Sequence, residues 1–121
     1  MAITLLYGCC QVETTARDLG AVRRFMIDML GAGPTEQVLA KQIAALFPPG
    51  QYDIDHLDCG EAVFQINQPS ASMTYGGCSS IHWAYLDRIG PCVTNLNFFV
   101  DDYAHPRDLL ASMGAETHIE G

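Results

Sequence analysis

Hydrophobic and polar positions change period several times along this chain, and each change marks an element. Residues 5–16 read as a strand, with Val12, Thr14 and Ala16 on one side and Gln11, Glu13 and Thr15 on the other. Asp18 follows where a helix N-cap belongs, its carboxylate placed to accept from first-turn N–H groups. Leu19, Val22, Met26, Met29 and Leu30 then fall on one helical stripe; Gly31 is the natural C-cap and Gly33-Pro34 prevents continuation. Residues 35–47 are rich in helix formers, yet a short strand near 35–39 and then a helical turn are expected there. After the turn at Pro48-Pro49-Gly50, residues 52–58 alternate strictly, with Tyr52, Ile54, His56 and Asp58 on one side. Cys59-Gly60-Glu61 turns the chain into a strand over 62–67 that sets Val63, Gln65 and Asn67 against Phe64 and Ile66.

Residues 68–91 form a connector. Its Ser/Gly-rich first half is expected as loop, and its second half, with the single Trp83, as a short helix or an extended arm. A long connector in a small domain is often functional. Beyond it the opening of the chain recurs. Gln11-Val-Glu-Thr-Thr-Ala-Arg-Asp18-Leu, with Leu30-Gly31-Ala32 after its helix, is matched by Asn95-Leu-Asn-Phe-Phe-Val-Asp-Asp102-Tyr, with Met113-Gly114-Ala115. Each copy reads as strand, acidic turn, helix and Gly stop, a duplicated βα-type module rather than a solenoid. The second copy has its strand over 92–100 and a short helix with Pro106 at N1 and His105 at the cap. Residues 117–119 are expected to start one more strand.

Composition narrows the function classes. A chain of 121 residues, 49% hydrophobic, is one globular domain with a real core. A net charge of −8, with six Lys and Arg, argues against nucleic acid and anionic membrane as partners. No apolar run is long enough for a spanning helix, and the opening residues lack the basic flank of a secretory signal. Five scattered cysteines without CxxC spacing fit neither a disulfide framework nor a zinc finger, so a reducing cytoplasm is the expected compartment. The acidic group Asp53, Asp55, Asp58 and Glu61 lacks the spacing of a calcium loop and reads as a solvated turn.

The repeat, with Phe64-Gln-Ile-Asn-Gln-Pro69 closing the first copy and Val93–Asp102 opening the second, resembles the glyoxalase/bleomycin-resistance/extradiol-dioxygenase superfamily, also called vicinal oxygen chelate. The resemblance covers 9–70 and 92–121. It implies an α+β fold: a βαβββ module and the start, βαβ, of a second copy, in a mixed sheet forming a cup. The expected division is a first module over 1–70, a connector over 71–91 and a truncated second module over 92–121. It also implies a divalent metal at the base of the cup, held by a His early in each module's first strand and a Glu in each last strand.

Those ligand positions fall here on Gln11, Asn95 and Gln65, and the fourth would lie beyond Gly121. Neutral amides bring no charge and little basicity to a transition metal, but they hydrogen-bond well. The reading that follows is a small-molecule-binding protein without a metal, its pocket candidates being Gln11, Gln65, Asn95, Asn67 and His56, with no catalytic residue assigned. The alternative is a divalent-metal enzyme (Zn, Fe, Ni or Mn) acting as lyase, isomerase or ring-cleaving dioxygenase. His82, beside Trp83 and Tyr85, is expected to cover a ligand or to pack a partner. A second module without its remaining strands leaves an open edge, so a homodimer, or association with a missing C-terminal half, is the expected assembly.

Overall fold

The computed structural model describes residues 5–36, 42, 45, 52–71, 74–75 and 78–116. Its elements in chain order are β1 (Leu5–Thr15), α1 (Leu19–Leu30), β2 (Gly33–Pro34), β3 (Tyr52–Cys59), β4 (Ala62–Pro69), β5 (Thr74–Tyr75), β6 (Cys78–Ser79), α2 (Ile81–Arg88), β7 (Cys92–Val100) and α3 (Ala104–Ser112). The fold is α+β. β1 to β4 with α1 make a βαβββ module, and β7 with α3 begin a second copy. Five strands form one open sheet in the order β2-β3-β4-β1-β7, with β1 parallel to β4 and antiparallel to β7.

The alternation read from the sequence becomes two unlike faces. Paired residues Glu13 and Gln65, Thr15 and Asn67, and His56 and Gln65 share the polar face. On the other face Leu57 and Ile66, 0% and 1% exposed, meet Met26, Ala16 and Ala32, with Leu19, Val22, Ile27 and Phe64 packed around them. Burying two such aliphatic side chains contributes about 1.5–3 kcal/mol each.

α1 is fixed at both ends and along its side. Asp18 accepts from Ala21 N–H at 2.8 Å, as an N-cap does. Gln68, from the α1 side of β4, accepts from Leu19 N–H at 2.7 Å and satisfies a second free donor of that first turn. Gly31, at φ 68°, ends the helix, and Ala32 N–H returns to the Met26 carbonyl. Arg23 pairs with Asp55 of β3 at 2.9 Å.

Several local expectations shift. β2 is Gly33–Pro34, paired with Leu57 and Asp58, earlier than the 35–39 expected; residues 37–39 lie outside the described residues, as do 117–119. The first half of the connector is not all loop, since β5 and β6 pair with each other; its second half is the short helix α2, one of the two forms expected, which buries Leu86 and leaves Ile81 exposed. α3 starts at Ala104, not at Pro106, and its cap is Tyr103 rather than His105. Asp102 accepts from Ala104 N–H at 3.0 Å and opens the helix early; Pro106 is tolerated because first-turn N–H groups have no helical acceptor.

β7 lies at the sheet edge. Val93, Leu96 and Phe98 are more than half exposed, and Leu110 of α3 and its C-cap Met113 are likewise open. A cavity of about 260 Å³ between α3 and β7 is lined by Phe98, Val100, Tyr103, Pro106, Leu110 and Ala111. Among the described residues, no helix is long and apolar enough to cross a membrane.

Candidate functional site

The polar sheet face is centred on β1 and β4. Strand alternation places Gln11, Glu13, Gln65 and Asn67 there, and pairing with β3 adds His56 and Tyr52. These are not solvated strand side chains: Gln11 and Gln65 are each 4% exposed, and Asn67 is 0%. Buried amides must find partners, and these find one another. Tyr52 O–H donates to Asn67 Oδ1 at 2.9 Å, and Gln65 Nε2 donates to the same oxygen at 2.8 Å. Asn67 Nδ2 donates to the Thr14 carbonyl at 2.9 Å. Gln65 Oε1 receives Gln11 Nε2 and lies 2.9 Å from His56 Nε2. Since that oxygen only accepts, the neutral His56 ring carries its proton on Nε2.

A second group adjoins this one. Glu13 faces His82 of α2, with Nε2 3.4 Å from Oε2, and accepts from Asn97 Nδ2 of β7 at its other oxygen. His82 is anchored by its own carbonyl, which accepts from Thr15 Oγ1 at 3.3 Å, and its ring lies 5.7 Å from that of Tyr52. Burial raises the Glu13 carboxyl, but hydrogen bonds from His82 and Asn97 and the charge of His82 outweigh it; the net displacement is downward and the group is ionised at neutral pH. Burial holds the His56 ring below its usual range, against the opposing pull of Gln65 and of the Asp55, Glu13 and Asp58 carboxylates. Burial, and then the Glu13 charge, push the Tyr52 phenol well above its ordinary range. At neutral pH the face therefore carries Glu13 as an anion beside the neutral His56 ring and the protonated Tyr52 phenol.

Of the five residues expected in the pocket, Gln11, Gln65, Asn67 and His56 join one bonded network. Asn95 does not. It stands opposite Glu13 in the register, is exposed, and joins the Glu13 group instead, donating to Asn97 at 2.9 Å and helping to hold the Glu13 carboxyl down. Asn97 is the residue opposite Gln11. Glu13, Asn97 and Tyr52 were not expected. Period-two alternation with Gln11, Asn95 and His56 is the signal that would have found them.

The fold's implied metal does not fit this donor set. Gln65 Oε1 and Asn67 Oδ1 are each taken by two donors, and His56 turns an N–H, not a lone pair, toward the amides. No group of three His, Cys, Asp or Glu side chains converges among the described residues. Neutral, already bonded amide oxygens are poor ligands for a transition metal.

Solved structures share this architecture. Methylmalonyl-CoA epimerase from Mycobacterium tuberculosis superposes with a TM-score of 0.62 at 21% identity, over 96% of this chain and 71% of that one. The chain has the vicinal oxygen chelate fold. A hypothetical protein, BH1468, from Bacillus halodurans C-125 superposes with a TM-score of 0.64 at 13% identity, over 90% of this chain and 70% of that one. No protein-family model and no curated protein matches the sequence. At these identities the likeness concerns the vicinal oxygen chelate fold and leaves the chemistry to the residues.

Proposed function

We propose that this vicinal oxygen chelate chain binds a small molecule on the polar face around Glu13, by hydrogen bonding and without a divalent metal. The observation that carries this reading is the closed amide network: at the positions where the superfamily resemblance implies metal ligands, Gln11 and Gln65 are bonded to each other. A preorganised set of oriented polar groups around a partly buried charge is what a small-molecule site requires. The network costs the fold little because its members satisfy one another, and Glu13 beside it is held by His82 and Asn97.

The test is elemental analysis of the desalted protein, followed by titration with Zn, Mn, Ni and Fe(II). Substoichiometric metal and no saturable uptake at micromolar concentration are expected. One equivalent of tightly held metal, lost in Gln65→Ala, would overturn the proposal in favour of a metal-dependent lyase, isomerase or dioxygenase.

A further inference from the structure

The two faces of the sheet are covered by different helices. α1 packs on β3 and β4 against the apolar face. The polar face is covered by α2, which touches β1, β4 and β7. His82, in its first turn, sets Nε2 3.4 Å from Glu13 Oε2 and its ring 5.7 Å from that of Tyr52. Gln11, Gln65 and Asn67 are buried on this face, so the binding face proposed above is shut in this structure.

The cover is lightly held. Thr15 Oγ1 donates to the His82 carbonyl at 3.3 Å, and the exposed Arg17 donates to the Leu86 carbonyl at 3.0 Å. The third tie is the Glu13–His82 contact. Each of these can be exchanged for bonds to water at modest net cost. Of the α2 side chains Leu86 alone is buried, while Ile81 and the C-cap Ile89 are exposed. The shut position also leaves His82 Nδ1 buried without a hydrogen-bond partner, a penalty that water removes once the helix lifts.

Neither end of α2 is built into the five-stranded sheet. Upstream, among the described residues, β5 and β6 pair with each other and with none of the five strands. The N-cap Ser80 makes no side-chain bond to the first turn. Downstream, the chain enters β7 through Gly90, at φ 98°, and Pro91. Glycine takes that conformation without strain and leaves the link able to turn.

We propose that α2 is a lid: latched over the polar face by Glu13 and His82, it lifts about Gly90 to admit the ligand. This rests on the polar face being the binding site, and it makes opening of the lid the step that precedes binding.

Hydrogen exchange followed by NMR on the whole chain tests the lid without a ligand. Three sets of protons are compared: backbone amides of α2, such as Ala84 N–H on the Ser80 carbonyl; side-chain amides of Gln11, Gln65 and Asn67; and backbone amides of β1 and β4. The first two sets should show matching protection, about tenfold or more below that of the third and with little dependence on added urea. His82→Ala should lower the protection of the first two sets about tenfold further. Side-chain amides that wait for β1 and β4 overturn the lid, whether α2 exchanges with them or frays ahead of them. Unchanged protection in His82→Ala overturns the latch and with it the proposal; if that variant does not fold, the wild-type comparison decides alone. The exchange is measured without metal, so the lid can fail while elemental analysis upholds the binding face, and a tightly held metal would strike the binding reading whatever the lid does.

Discussion

Replacing Asn67 by alanine tests whether the amide network acts as one unit. Asn67 is fully buried; its oxygen takes two donors and its nitrogen serves the Thr14 carbonyl. Asn67→Ala removes the buried acceptor that Tyr52 O–H and one Gln65 N–H share. Each stranded neutral donor costs about 1–3 kcal/mol, so the variant should lose about 2–6 kcal/mol, a large share of the roughly 5–15 kcal/mol that holds a domain together. Tyr52→Phe removes the same bond from the other end but strands no donor, and should cost only about 1 kcal/mol. On the Tyr52→Phe background, Asn67→Ala then strands only the Gln65 donor, and its cost should fall by about 1 kcal/mol or more. The assay is urea unfolding of the wild type, both single variants and the double variant, followed by fluorescence of Trp83. Additivity within about 0.5 kcal/mol would mean that Tyr52 and Asn67 are not coupled, and would refute the network as described.

Three further outcomes are expected. Leu57→Ala, at a site that is 0% exposed beneath α1, should destabilise by about 2–5 kcal/mol in the same unfolding assay; a loss below about 1 kcal/mol would show that α1 does not pack there as described. The His56 ring has a folded pKa below its usual 6.5, so the unfolded chain binds the proton more readily and stability falls as pH drops below about 6.5; Glu13, displaced below 4.5, adds a second loss at lower pH. His56→Gln should flatten the fall in urea midpoint between pH 7 and pH 5, and an unchanged slope would count against a buried neutral His56. β7 presents nine residues at the sheet edge with no charge and no proline to guard it, so a homodimer pairing this edge is the assembly we propose. Light scattering should give a dimer at micromolar concentration that Leu96→Lys dissociates, and a wild-type monomer throughout would refute this.

The sequence made the faces legible and left the register open. Alternation in β1, β3 and β4 is regular, so the polar and apolar sets separate correctly, and the caps Asp18 and Gly31 bound α1 where they were expected. Which residue of β7 stands opposite which residue of β1 depends on a register shift between Glu13 and Thr14, and a bulge of that kind leaves no mark in periodicity. Asn95, expected to share a pocket with Gln11 and Gln65, stands opposite Glu13, and Asn97 faces Gln11. Glu13 lay on the polar face from the start, but its weight comes from His82, which a connector of unreadable geometry carries back over the sheet. The early start of α3 turned on a competition between two caps, Asp102 bonding the helix open before Pro106 could define it.

β4 has consequences for how accurately the chain reaches this structure. Four successive residues there have different obligations: Gln65 and Asn67 answer the amide network, Ile66 fills the core, and Gln68 caps α1 from the far side. A strand sliding by one position against its neighbours would fail all of them together, setting Ile66 among bare amides and two amides in hydrocarbon while releasing the helix end. Near-native alternatives are thus penalised several times over by a single error. Proofreading of the pairing is built into one short strand, and substitutions at 65–68 are expected to raise misfolding out of proportion to the contacts they remove.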